Sequence, residues 1–282
     1  MAREMGFSAA GFLMPEDFDW PDVAFLTRSP WELLPGASCV IILIMPYALN
    51  IGLDDDIVPY SAYYVASHAA HAKRKEIIEG LQLAGHQAVS GSRLPNKAAA
   101  LRFGLTIGKN SLIQHGGEPC LIQLIVTDAF APEQYPAGGV CADCGACVRA
   151  CPVNALDGGF RRERCIRHHM DNHFIPLDMR PHMKTLIGCD ICTAACPASQ
   201  VFKAPSIEEQ HAFSYERLLS GQMPIELVGR NFARPKRLIV QTLILCANYG
   251  KTQYLPLIER YCSEDGPVGE IALWAIEKLR DM

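Results

Sequence analysis

Eight of the twelve cysteines in this 282-residue chain fall between Cys141 and Cys196. Cys141-x2-Cys144-x2-Cys147-x3-Cys151-Pro152 is the spacing of a bacterial ferredoxin run. Three nearby thiolates wrap one face of a cubane, and the fourth, followed by proline, turns away towards a second cluster. Cys189-x2-Cys192-x3-Cys196-Pro197 supplies the complementary half, one thiolate short. Cys165, isolated in Arg164-Cys165-Ile166, completes the arithmetic. Cys141, Cys144, Cys147 and Cys196 then hold one 4Fe–4S cluster, and Cys151, Cys165, Cys189 and Cys192 hold the other. Zinc is the competing soft-ligand metal. Its structural sites use paired Cys-x2-Cys knuckles rather than two runs each closed by Cys-Pro, so iron–sulfur is the reading. Neighbouring clusters make a path for single electrons, and the expected function is electron transfer or redox catalysis.

The rest of the chain must hold and use that path. Three segments are expected: an α/β cofactor- or substrate-binding domain over 1–139, a ferredoxin-like double-cluster domain over 140–205, and a helical domain over 206–282. In the first, Cys39 to Met45 and Leu121 to Thr127 are short apolar β-rich runs that read as buried strands. Ala62 to Ala84 has few breakers and reads as a helix. The second segment is rich in Cys, Pro, Gly and Arg, and is expected to be organised by its metal centres rather than by a hydrocarbon core. The third reads as entirely helical, with helices over Leu238 to Leu245, Tyr254 to Tyr261 and Val268 to Leu279. The last two suggest a HEAT-like hairpin repeat. The fold class is α+β.

Composition sets limits. Apolar residues make up 49% of the chain, enough for a sizeable core, and the net charge of −4 gives no whole-protein case for nucleic-acid binding. The start, Met1-Ala2-Arg3-Glu4, lacks a secretory pattern, and the apolar run to Met45 is too short to cross a bilayer. A cytoplasmic protein with no membrane association is expected, which also argues against a disulfide framework. Cys39, Cys120, Cys246 and Cys262 read as packing residues. No Ser-His-Asp arrangement, P-loop or Rossmann fingerprint is present.

Beyond the cluster run, the sequence resembles the epoxyqueuosine reductases, cobalamin-dependent iron–sulfur enzymes of tRNA modification. The likeness is carried by Leu34-Pro35-Gly36-Ala37 and Pro46-Tyr47, by Tyr64 and His71 on one helix, and by Gly104-Leu105-x2-Gly108-Lys109-Asn110-Ser111. It continues through Val126-Thr127-Asp128, Arg164-Cys165-Ile166, Ile175-Pro176, Arg180-Pro181, Gly188-Cys189-Asp190-x-Cys192 and Trp274-Ala275. The resemblance implies a nitroreductase-like corrinoid-binding domain, a ferredoxin-like module feeding electrons to the cobalt, and HEAT-like helices at the end. It maps the family's ligand cysteines onto the same eight positions. One departure stands out: the family's acidic proton donor, in an Asp-x-x-Pro element, is replaced in Ser92-Arg93-Leu94-Pro95. Serine has no carboxyl proton to give near neutral pH.

The expected pocket residues are His71, Arg93, Lys109 and Asn110. The Gly108-Lys109-Asn110 turn could cradle a corrinoid side chain or phosphate through backbone N–H groups and the Lys charge, or be a plain glycine turn. A flavin is a further alternative occupant. His68 shares a helix face with His71, while His168, His169 and His173 follow Cys165 and read as solvent-facing or capping residues. Gly229 to Arg237 is a short basic segment that could touch RNA phosphates or simply be a solvated helix start. Three functions follow: an oxidoreductase resembling epoxyqueuosine reductase, a non-catalytic ferredoxin-like protein that reduces a partner, and a tRNA-binding module with structural clusters. Partners would be an electron donor such as a ferredoxin or flavodoxin, and tRNA or a corrinoid protein.

Overall fold

The computed structural model describes residues 2–21, 23, 25–133, 141–199 and 201–281. The expected boundary at 139/140 lies outside the described residues. Strands follow in chain order as β1 (Ala9–Leu13), β2 (Cys39–Pro46), β3 (Leu49–Asn50), β4 (Ala88–Ser90), β5 (Thr106–Ile107), β6 (Ile113–His115), β7 (Glu118–Thr127) and β8 (Phe202–Lys203). The helices are α1 (Ala62–Leu83), α2 (Asn96–Arg102), α3 (Ala146–Ala150), α4 (Ile166–His169), α5 (Ile191–Ala194) and α6 (Ile207–Ala212). They continue as α7 (Tyr215–Leu219), α8 (Ile225–Val228), α9 (Pro235–Asn248), α10 (Leu255–Glu259) and α11 (Pro267–Arg280). The contacts divide the chain into two units, one of residues 1–47 and 66–144, the other of 48–65 and 145–282.

The first unit is built on an antiparallel sheet of order β1-β2-β7-β6-β5, with β4 also paired to β7. The apolar runs expected as strands are β2 and β7, and they lie side by side with Ile42 opposite Leu124. Their residues are buried on both faces, which is why they read as continuous apolar runs rather than alternating ones. Val40, Ile42 and Ile44 pack with Leu13, Leu94, Phe103 and the alanines of α2. Burying each such isoleucine contributes about 1.5–3 kcal/mol.

The second unit is organised around α9, whose residues Arg237 to Ala247 are all buried, and α11, which lays Val268, Ile271, Ala275 and Leu279 against it. Pro235 and Pro267 begin these helices, where a missing N–H costs nothing. Ser206 and Ser214 cap α6 and α7 by accepting the N–H groups of Glu209 and Arg217.

Two expectations need correction here. The cysteine-rich segment does enter a hydrocarbon core: Ile166, Met170, Ile175, Met183, Leu186 and Ile187 are buried in the same cluster as α9 and α11. Its apolar residues are spaced by turns rather than by a helical or strand period, so periodicity hid them. The stretch Tyr254 to Tyr261 is a 3-10 turn over Thr252–Tyr254 followed by the short α10, because Pro256 falls in the first turn of that helix. Strand β1, helix α2 and the two-residue parallel pair β3–β8 were not expected from the sequence.

Candidate metal centre

Each half of the cysteine pattern has one cysteine on a short helix, Cys147 on α3 and Cys192 on α5, and the two helices pack against each other. Gly145, in the left-handed region at φ 71°, turns the chain into α3, which carries Cys147. Cys151 leaves α3 in extended conformation, and the backbone N–H of Ala155 donates to its sulfur at 3.3 Å. Cys165, also extended, opens α4. Cys189 precedes α5, Cys192 lies on it, and Cys196 follows it. Cys141 and Cys144 close the first unit, where Lys109 forms an ion pair with Asp143 between them.

Part of the second expected ligand set is linked electrostatically: Cys189 to Cys165 and Cys151, and Cys192 to Cys189 and Cys165. Burial pushes the Cys189 thiol up to about 12; the N–H of Ile191 pulls the other way, and the nearby thiols of Cys165 and Cys151 add to the rise. Cys192 is likewise pushed up to about 12, by burial first and then by Cys189 and Cys165. All four cysteines are half-buried, and Cys189 is the one that senses both Cys165 and Cys151. Among the described residues no three His, Cys, Asp or Glu side chains converge tightly enough for a single metal ion. A cubane asks for another arrangement, with four irons taking one thiolate each.

This ligand set is supported from behind. Ser61 donates from its hydroxyl to Oδ1 of Asp190 at 2.9 Å, and burial pushes the Asp190 carboxyl up to about 6. Tyr64, on the same helix start, accepts a hydrogen bond from Arg167, whose guanidinium also pairs with Asp171 at 2.7 Å. Gln241 of α9 accepts from the N–H of Ile187 and donates to the carbonyl of Met170, both at 2.8 Å.

The residues expected to line a cofactor pocket all fall in the first unit but in differing environments. His71 is exposed on α1, and its Nδ1 accepts from Nη2 of Arg74 at 2.8 Å; burial and the Arg74 charge lower its pKa. Arg93 is exposed in the loop before α2, as is Ser92. Lys109 is half-exposed. Only Asn110 is buried. Its Oδ1 accepts from the N–H of Leu112 at 3.3 Å, while Nδ2 is buried without a partner among the described residues. The Gly108 turn spends its own donors: Gly108 N–H goes to Leu112 and Ser111 N–H to Gly108. Gly108 leaves room for the Asn110 side chain: a Cβ there would stand 2.6 Å from its Oδ1 and make it shift.

Arg74 was missed in the sequence. It is 5% exposed, burial depresses its pKa, and its Nε has no hydrogen-bond partner among the described residues. A cation in register with buried Ala70 and Ile77 on one helix face was the available signal. His68 and His71 drew attention instead.

Residues 140–199 match the family of 4Fe-4S double cluster binding domains. The chain is therefore a double-cluster iron–sulfur protein of mixed α/β fold. It is 28% identical over 200 residues to the epoxyqueuosine reductase of Leadbetterella byssophila, covering 64% of this chain and 65% of that one. It is 30% identical over 191 residues to that of Pseudomonas aeruginosa, covering 60% and 53%. The matched region spans less than two thirds of these relatives' lengths. The fold matches the epoxyqueuosine reductase of Streptococcus thermophilus (TM-score 0.77, 18% identity, 100% of this chain and 89% of that one). It also matches that of Bacillus subtilis (TM-score 0.74, 20% identity, 99% and 88%). Over these stretches the chain is similar to epoxyqueuosine reductases in sequence, and it shares their fold. No helix among the described residues is long and apolar enough to cross a membrane.

Proposed function

We propose that the chain is an iron–sulfur oxidoreductase of the epoxyqueuosine reductase type, a cytoplasmic enzyme acting on a modified nucleoside in tRNA. The observation that carries this is the match of residues 140–199 to a double-cluster binding domain, whose cysteines Cys151, Cys165, Cys189 and Cys192 would hold one of the clusters. One solved structure matched by the fold holds an epoxyqueuosine-modified tRNA stem loop, and the same substrate class is proposed here. Cys141, Cys144, Cys147 and Cys196 hold the other cluster. The 1–139 segment binds the cofactor, 140–205 holds the clusters, and 206–282 is the HEAT-like part.

A corrinoid in the first unit would supply a low-valent cobalt able to reduce a strained C–O bond. The chain's own residues fit such a guest on one count: Nδ2 of Asn110 and Nε of Arg74 are buried donors that lack acceptors among the described residues. A corrinoid rim offers amide carbonyls and a phosphate. Asn110 and Arg74 would bind those acceptors, with Lys109, Arg93 and His71 at the more exposed margin. The turn's backbone contributes little, since its N–H groups at Gly108, Ser111 and Leu112 are already used.

Anaerobically purified protein tests the reading directly. It should contain iron and sulfide for two cubanes, take up cobalamin with a change in its visible spectrum, and reduce epoxyqueuosine in tRNA. Asn110→Ala should weaken cobalamin uptake about tenfold, the loss of one or two hydrogen bonds. Protein with both clusters that neither binds cobalamin nor turns over tRNA would overturn this function.

A second reading is favoured by Ser92, exposed where the resembled family carries a carboxyl. Lacking that proton donor, the protein would pass electrons to a partner protein instead. It predicts cluster reduction and onward transfer with no epoxide turnover.

A further inference from the structure

We propose that the loop from Phe160 to Arg164 is the docking surface for the electron donor, and that it fits a small acidic one-electron carrier protein. The inference rests on the reading of Cys151, Cys165, Cys189 and Cys192 as cluster ligands, and adds the place where the electron enters.

The loop is tied to two of those sulfurs. Ala155 donates to the Cys151 sulfur through its N–H and accepts the N–H of Arg161 at 2.8 Å through its carbonyl. The N–H of Cys165 donates to the carbonyl of Arg162 at 3.1 Å, and Arg164 adjoins Cys165 in the chain. His169 braces the same turn through the carbonyl of Glu163 at 2.9 Å. The loop that these atoms hold is thus tied by hydrogen bonds and chain continuity to Cys151 and Cys165.

Its chemistry suits a brief charge-steered encounter. Arg162 and Arg164 are exposed, and neither they nor Arg161 make an ion pair among the described residues. The acids interleaved with them, Asp157 and Glu163, are fewer. Phe160 stands beside them 47% exposed, an apolar centre within a cationic rim. The chain as a whole carries a net charge of −4, so this local excess of cations runs against the average. Transient redox complexes bury small areas and rely on complementary potentials for speed rather than affinity. An acidic partner is what this rim would attract and orient.

The step itself balances simply. One electron leaves the donor's reduced centre, the 4Fe–4S cluster gains it, and no bond or proton changes.

The test uses full-length holoprotein mixed anaerobically with a reduced plant-type 2Fe–2S ferredoxin, an acidic carrier, while cluster bleaching is followed. Arg162→Glu/Arg164→Glu should lower the second-order rate at least about tenfold at low salt. Its rate should lose the salt dependence of the parent, and Arg162→Lys/Arg164→Lys should stay near the parent. Bleaching at the end point by dithionite, and iron content, should match in all three. If the reversal variant loses iron, Arg162→Gln/Arg164→Gln replaces it and the same comparison decides. An unchanged rate overturns the proposal, as does a variant that keeps its rate and instead loses RNA affinity. Failure of the parent to bleach with dithionite would sink the cluster reading itself, which separates the two.

Discussion

Ser61 fills the space that Gly188 leaves empty: a Cβ built at position 188 would lie 2.6 Å from Cβ of Ser61 and 3.2 Å from the ring of Tyr64. The same serine bonds Asp190, two residues further on. The glycine before Cys189 is therefore required by close approach. Gly188→Ala should overpack this contact, cost about 1–3 kcal/mol, and pull Cys189 out of line. Iron content should fall from two clusters towards one. Ser61→Gly combined with Gly188→Ala should restore much of it, and an alanine variant with full iron would contradict the packing argument.

Cys165 is the ligand assigned by arithmetic, and Cys246 is its natural control. Both are free of disulfides, but Cys246 is fully buried on α9 with its thiol pushed up by burial, far from any ligand run. Cys165→Ser should lose one cluster, read as halved iron and sulfide. Cys246→Ser should keep both clusters and lose about 1–3 kcal/mol of stability by burying a hydroxyl. Equal iron in the two variants would remove Cys165 from the ligand set.

Gln241 links the helical core to the cluster loop. Ile187 sits at φ 57°, an unusual place for a β-branched residue, and its N–H is held by Oε1 of Gln241. Gln241→Leu would leave that N–H and the Met170 carbonyl buried without partners, at about 1–3 kcal/mol each. Chemical denaturation should show a loss of about 2–5 kcal/mol, and the cluster held by Cys189 should become more labile to chelators. A variant as stable as the parent would show that water replaces both bonds.

These relationships mark what the sequence could and could not reveal. Strands β2 and β7 were legible because both faces are buried, α9 because it is a nearly unbroken apolar run, and α11 because its apolar residues recur at helical spacing. The ligand set was legible because cubane chemistry fixes short spacings. Strand β1 was not: Ala9, Ala10 and Gly11 carry little β signal, and it is held by pairing with β2 and by burial of Leu13. Helix α2 is short, follows Pro95 and has no side-chain cap. Ser61 meets Asp190 across 129 residues of chain, and no local pattern announces such a contact. Buried donors such as Nδ2 of Asn110 become visible only once every neighbour is placed.

The core thiols of the first unit make stability depend on alkaline pH in a defined direction. Burial pushes Cys39 up to about 11 and Cys120 up to about 12, from an ordinary value of 9.0. Between pH 9 and 11 the unfolded chain has released these protons while the folded chain still holds them. The unfolded state therefore binds fewer protons, and stability must fall as pH rises, by about 1.4 kcal/mol per pH unit for each thiol. Below pH 9 both states keep the proton and the effect vanishes. Cys120→Ala removes one of the two contributions, so its unfolding free energy should decline less steeply from pH 9 to 11 than that of the parent. Denaturant titrations of the two proteins side by side cancel what other titrating groups contribute, and parallel slopes would mean that the Cys120 thiol ionises in the folded core as readily as in water.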